Sequence, residues 1–184
     1  GLDQGFEVYD DDMTSGKPRQ LRLNAERPAA DTVTAAGAWL DAVAADERFF
    51  LWLHLFDPHA DYAPPAPWSE RFRDRPYDGE IAYTDAQLSR LFSCLREAGL
   101  AENTLVVVLS DHGEEFMEHG GIEHGSTLYQ EVLHVPLIIS GPGVPEGLVA
   151  REPCAQIDIL PTVLSLLGTE PPDGISGVDL LAEG

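Results

Sequence analysis

The residues best equipped for chemistry lie between positions 110 and 125. Ser110-Asp111-His112-Gly113-Glu114-Glu115-Phe116 is followed by His119-Gly120-Gly121 and then by Glu123-His124-Gly125. Carboxylates and imidazoles spaced this closely can bind a hard or borderline divalent cation, or move protons, if a rigid element holds them in place. The near-continuous apolar run from Thr104 to Leu109 predicts that element, a buried strand that ends where the polar residues begin. Asp111 offers a hard anionic oxygen and His112 a borderline nitrogen. At a strand-to-loop junction both can turn toward one ion. The pattern points to half of a metal-dependent hydrolase site.

Other readings of the same residues stay open at this level. Asp111 could cap a turn, and His112 could be an ordinary polar loop residue. His124, beside Gly125, suits a general acid or a cationic clamp, or equally a histidine on a flexible glycine-rich loop. His119 fits either kind of role. Glu114 and Glu115 are explained by a helix or turn starting after Gly113, whose N-terminus favours negative charge.

A second polar group follows another apolar run. Phe49-Phe50-Leu51-Trp52-Leu53-His54-Leu55-Phe56 reads as a strand covered on both faces and stops at Asp57-Pro58-His59. The prolines of Tyr62-Ala63-Pro64-Pro65-Ala66-Pro67 impose an extended loop after it. His59 at this strand end could give a hydrogen bond or positive charge to an anionic group.

Helices must frame these strands. The Ala-rich stretch from Asp31, a candidate N-cap, to about Glu47 places Val33, Gly37, Leu40, Val43 and Ala44 on one face. After Asp78, the residues Ile81, Leu88, Leu91, Phe92 and Leu95 repeat at about 3.6, with Gly99 as the stop. Val135 to Ser140 predicts another strand, closed by Gly141-Pro142-Gly143. A last helix is expected from Asp158 through Leu167, with Pro161 in its first turn and Gly168 at its end. Helices and strands in this order predict an α/β fold, a mostly parallel sheet with helices on both faces, whose ligands bind beyond the strand ends. Residues 1–30 carry little apolar periodicity and are expected to be a largely irregular surface segment of one domain spanning 1–184.

Composition narrows the partners. Eleven Lys+Arg against 32 Asp+Glu leave a net charge of −21 over 184 residues, which disfavours nucleic acid and anionic membranes. An anionic substrate therefore needs a locally built positive site. No stretch approaches the roughly 18 apolar residues of a membrane span. Cys94 and Cys154 are too few for a disulfide framework or a cysteine zinc site. Neither the G-x-S-x-G elbow nor the G-x-x-x-x-G-K-[ST] phosphate loop occurs, so no nucleophile is identified from these residues.

Taken in order, several segments resemble the sulfatase family of the alkaline-phosphatase-like superfamily. Asp57-Pro58-His59-Ala60-Asp61-Tyr62 resembles the family's D-P-H-x-P-Y, and Ser110-Asp111-His112-Gly113-Glu114 its S-D-H-G-E. His124-Gly125, Leu128-Tyr129-Gln130-Glu131, Val135-Pro136-Leu137 and Asp158-Ile159-Leu160-Pro161-Thr162 resemble later family segments. The resemblance implies hydrolysis of a sulfate ester, on a small molecule or a glycan, at a divalent cation, calcium ahead of magnesium. It also implies a formylglycine nucleophile, expected upstream of this chain. By motif, Asp111 and His112 would be metal ligands, His59 would contact the sulfate, and His124 would bind sulfate or protonate the leaving group. Asp61 stands where the family has proline, and Met117 where glycine is common. Neither cysteine sits in the family's C/S-x-P-x-R motif, so the chain resembles the C-terminal part of a catalytic domain and is expected to be inactive alone. Phosphodiesterases and phosphonate monoester hydrolases of the same superfamily share this chemistry, and a catalytically dead, binding-only homologue shares the motifs. Export to the periplasm or the extracellular space accords with the resemblance.

Overall fold

Alanine and leucine spacing drives the first helix, α1, Ala29–Leu40, in the computed structural model, which describes residues 1–13, 26–44 and 46–182. The Lys17-Pro18-Arg19 part of the expected irregular segment lies outside the described residues. The helix starts two residues before the expected cap. Pro28 precedes it, and Asp31 falls in the first turn, where a carboxylate is favoured by the helix dipole. It ends at Leu40 rather than near Glu47, before the acidic pair Asp46-Glu47 that a helix C-terminus disfavours. The described residues form two units, Gly1–Ala101 and Glu102–Gly184.

In the first unit a four-residue helix, α2, Trp68–Arg71, follows the proline loop. The long α3, Pro76–Glu97, opens on a proline whose missing N–H costs nothing at that position. Tyr83, Gln87, Leu91 and Leu95 are buried along α3, a clean four-residue stripe. Leu91 and Leu95 join Val33, Ala36, Leu40 and Leu100 in one apolar core. Ile81, expected on that face, is exposed. The helix stops at Gly99, which takes φ +72°, a conformation that favours glycine.

The run Phe49–Phe56 is extended but belongs to no ladder among the described residues. Phe49, Leu51, Leu53 and Leu55 pack on the core, whereas Phe50 and Trp52 are 70% and 71% exposed. Covering on both faces was expected from the unbroken apolar run; the period-two geometry instead delivers alternate side chains to the core.

The second unit places strands where the apolar runs predicted them. Strand β1, Val106–Leu109, ends at the chemistry-bearing segment. A small hairpin follows, β2, Glu115–Phe116, with β3, Ile122–Glu123. The short α4, Gln130–Leu133, then leads to β4, Leu137–Ser140, and after a longer loop to α5, Ile159–Leu166. Strand β4 lies antiparallel to β1, pairing Leu109 with Leu137 and Val106 with Ser140. The α/β class is upheld, and both ladders among the described residues are antiparallel. No described helix is long and apolar enough to cross a membrane.

Candidate active site

Strand β1 delivers Ser110 and Asp111 to a turn that is fixed from several directions. The Ser110 hydroxyl donates to the carbonyl of His112 at 2.6 Å, and the His112 N–H donates to Asp111 Oδ1 at 2.9 Å. Gln156, distant in sequence, donates its side-chain amide to the carbonyls of both Ser110 and Asp111 at 2.9 Å. Beyond the turn, the N–H groups of Gly113 and Glu114 donate to the carbonyls of Val132 and Glu131 at 2.7 and 2.9 Å. A Cβ at Gly113 would lie 2.0 Å from the Glu131 carbonyl oxygen, so only glycine allows that approach.

His112 Nδ1 is 2.8 Å from the Gly113 carbonyl and is thereby assigned as the protonated nitrogen. The lone pair then belongs to Nε2, which lies 3.6 Å from Asp111 Oδ2. A hydrogen bond from one ring nitrogen to a backbone carbonyl is how proteins orient a metal-binding imidazole. An anionic oxygen and an imidazole nitrogen at this separation fit part of a divalent cation's coordination shell.

His124 stacks on His112, with ring centroids 3.7 Å apart and planes 26° apart. Behind it stands Glu114, whose Oε1 is 3.0 Å from His124 Nδ1 and whose side chain is only 6% exposed. No helix starts after Gly113, so the expected helix-terminus role for Glu114 and Glu115 does not hold: β2 begins there instead, and both carboxylates are turned inward. Glu115 is 2% exposed. It receives the N–H of Gly121 at 2.9 Å, the N–H of His119 at 3.3 Å and the Thr127 hydroxyl at 2.9 Å. These bonds, the Gly121 N–H foremost, hold its carboxyl below the usual glutamate range. Gly125 takes φ +87° with open space where a Cβ would sit, so its value is conformational. Met117 adopts φ +73°, the geometry that would favour the glycine common at this position.

His119 stacks on Tyr129, with centroids 3.6 Å apart, and its Nδ1 is 2.5 Å from Glu131 Oε1. Glu115, His119 and Glu131 each place a donor atom within 4.8 Å of the others, a spacing that a cation could bridge. Here the contacts of His119 and Glu115 describe a turn-closing polar network.

His59 belongs to the first unit. Its Nδ1 donates to the Ala60 carbonyl at 2.6 Å and lies 3.3 Å from Glu26, while its ring sits 4.5 Å from that of Phe56. The loop that carries it hangs on Glu80 of α3, which is 5% exposed. Glu80 accepts the N–H of His59 at 3.0 Å and that of Ala63 at 2.7 Å. Asp57 ties the start of the loop to α1 by accepting the Ala29 N–H at 2.7 Å.

Burial raises the carboxyl of Glu80 above the usual glutamate range, against the opposing pull of the two loop N–H groups. A raised folded-state value means the fold prefers the protonated acid. The stability contributed by Glu80 is therefore full below the unfolded value and is lost as pH rises through the folded one. Thermal unfolding of the chain and of Glu80→Gln between pH 4 and pH 7 should show the balance moving toward the Gln variant as pH rises. A constant difference would contradict this.

Comparison with known proteins identifies the family. The Sulfatase family model matches residues 4–169. The chain belongs to the sulfatase family. Arylsulfatase K of Danio rerio is 31% identical over 193 residues, covering 98% of this chain and 36% of that protein. The low-salt glycan biosynthesis sulfotransferase Agl7 of Haloferax volcanii is 31% identical, covering 92% of this chain and 43% of that one. Among solved structures, a phosphonate monoester hydrolase from Silicibacter pomeroyi superimposes with a TM-score of 0.69 at 23% identity, over 97% of this chain and 47% of its own. That likeness shows a shared fold. This sulfatase-family chain thus spans less than half the length of these relatives. Within it, Asp111, His112, His124 and His59 are the residues expected from sequence, whereas the contacts of Glu80 with the His59 loop, of Glu114 with His124 and of Gln156 with the Ser110-Asp111 backbone were not expected. Only the glutamate of S-D-H-G-E carried a signal, through the motif.

Proposed function

We propose that this chain supplies the metal-ligand and substrate-histidine half of a sulfate-ester hydrolase. The observation that carries the reading is the pairing of Asp111 Oδ2 with His112 Nε2 at 3.6 Å, beside a stacked His124. Asp111 and His112 are the residues that would hold a divalent cation, calcium ahead of magnesium. Such an ion, when bound, neutralises charge on the transferring group and polarises its oxygens.

The chain's own residues do the rest. The Gly113 carbonyl sets the His112 tautomer, and Gln156 steadies the backbone that carries Asp111. His124, with Nδ1 turned to Glu114, presents Nε2 as the nitrogen suited to hydrogen-bond the ester oxygen or to pass it a proton as it leaves. His59 is assigned a second sulfate contact from its motif. The nucleophile, a formylglycine by family resemblance, would have to come from outside these residues. Small-molecule and glycan sulfates are the substrate classes proposed.

The full reading frame encoding this chain, supplied with calcium, should release sulfate from 4-nitrophenyl sulfate faster than phosphonate from a phenyl phosphonate monoester. The reverse preference would select the phosphonate reading. Cation binding without turnover of either ester would make the protein a binding-only homologue.

A further inference from the structure

Residues 102–184 contain fourteen aspartates and glutamates but a single Lys or Arg, Arg151. This cation lines the same concavity as Asp111, His112 and His124. Apolar side chains, Leu128 and Leu133 among them, line it as well. Arg151 is exposed, and its guanidinium makes no hydrogen bond or ion pair with any described residue. Glu146 and Glu152 also line this concavity, and Arg151 is the only Lys or Arg there to offset them.

We infer that Arg151 binds a second anionic group, a carboxylate or a further sulfate, on the organic part of the substrate. This rests on the sulfate-ester reading above and adds the substrate class: esters that carry negative charge beyond the sulfate being cleaved. The guanidinium suits the task. Its planar fork meets a carboxylate or sulfate with two parallel N–H donors, and it is weakly hydrated, so little is lost when water leaves. The apolar side chains would cover the ring or carbon skeleton that joins the two charges. Specificity follows because, within residues 102–184, the acidic side chains disfavour a dianion and Arg151 is the one Lys or Arg that attracts it.

The test compares esters with one anionic group and with two, using the full reading frame with calcium. For 3- and 4-carboxyphenyl sulfate, Arg151→Ala should raise KM roughly tenfold for at least one isomer, whereas 4-nitrophenyl sulfate should be nearly unaffected. Arg151→Lys should recover part of the loss, since it restores charge without the fork. Calorimetric titration with the corresponding sulfonates, which have no ester to cleave, should show the same selective loss of affinity. An equal effect of Arg151→Ala on mono- and dianionic ligands, or no effect on either, would overturn the assignment. Wild-type protein that binds none of these sulfonates would overturn the sulfate-ester reading, and the role of Arg151 would fall with it.

Discussion

Asp111→Ala, introduced into the full reading frame, is expected to lower cation affinity and sulfate-ester turnover together by at least about a hundredfold. Removing even a partner outside the coordination shell commonly costs 10- to 100-fold in metal affinity, and Asp111 is assigned to the shell itself. The fold should barely notice. Asp111 is exposed, with 70% of its side chain accessible, and its own carboxylate contacts are to the next residue. Thermal stability without added cation should therefore shift by less than about 0.5 kcal/mol, as for most surface substitutions. Calorimetric cation titration and the hydrolysis assay check the two losses separately. Undiminished cation affinity in the variant would remove Asp111 from the site.

His124 is the second large effect. A positioned general acid contributes roughly 10²- to 10⁴-fold to rate, so His124→Ala should depress kcat within that range while leaving cation affinity close to wild type. Glu114→Ala should act through the same ring. Without the carboxylate at 3.0 Å, Nδ1 is no longer fixed as the donor, and the imidazole can rotate or switch tautomer. Nitrogen-detected NMR should then show His124 leaving the Nδ1–H form, and turnover should fall by roughly 10- to 100-fold, the usual cost of losing such an orienting partner. Glu114→Gln, which keeps an acceptor, should preserve the tautomer better than Ala. If Glu114→Ala leaves both the His124 tautomer and kcat unchanged, Glu114 is only a core carboxylate.

The contrast between Glu114 and Asp111 shows how far the sequence could be read. Asp111 and His112 were visible because an apolar run stops immediately before them, and a strand end is a physical position that local pattern reveals. The inward turn of Glu114 and Glu115 was not visible. It depends on β3 folding back over β2 and on the Gly121 and Thr127 donors that become available only then. A local reading could offer these acids nothing better than a helix terminus.

Glu80 and Gln156 make the same point over longer distances. Glu80 lies 21 residues from His59, and Gln156 45 from Asp111. Nothing in the local pattern around Glu80 marked it as buried. In the fold it is buried, because the His59–Ala63 loop lies across it and supplies two N–H groups. The run Phe49–Phe56 errs in the opposite direction. Its apolar character is uniform, yet only alternate side chains meet the core, since hydropathy reports what a residue tolerates and not which face a neighbour covers.

By itself the sequence determined the α/β class and the approximate positions of the long helices and of the strands at Val106–Leu109 and Leu137–Ser140, because periodicity and strand ends are local properties of the chain. The tertiary structure alone decided which carboxylate stands behind His124, which amide steadies Asp111, which acid suspends the His59 loop, and that Arg151 shares a concavity with Asp111 and His112. Those choices depend on hydrogen-bond donors and desolvation that come into being when distant segments meet.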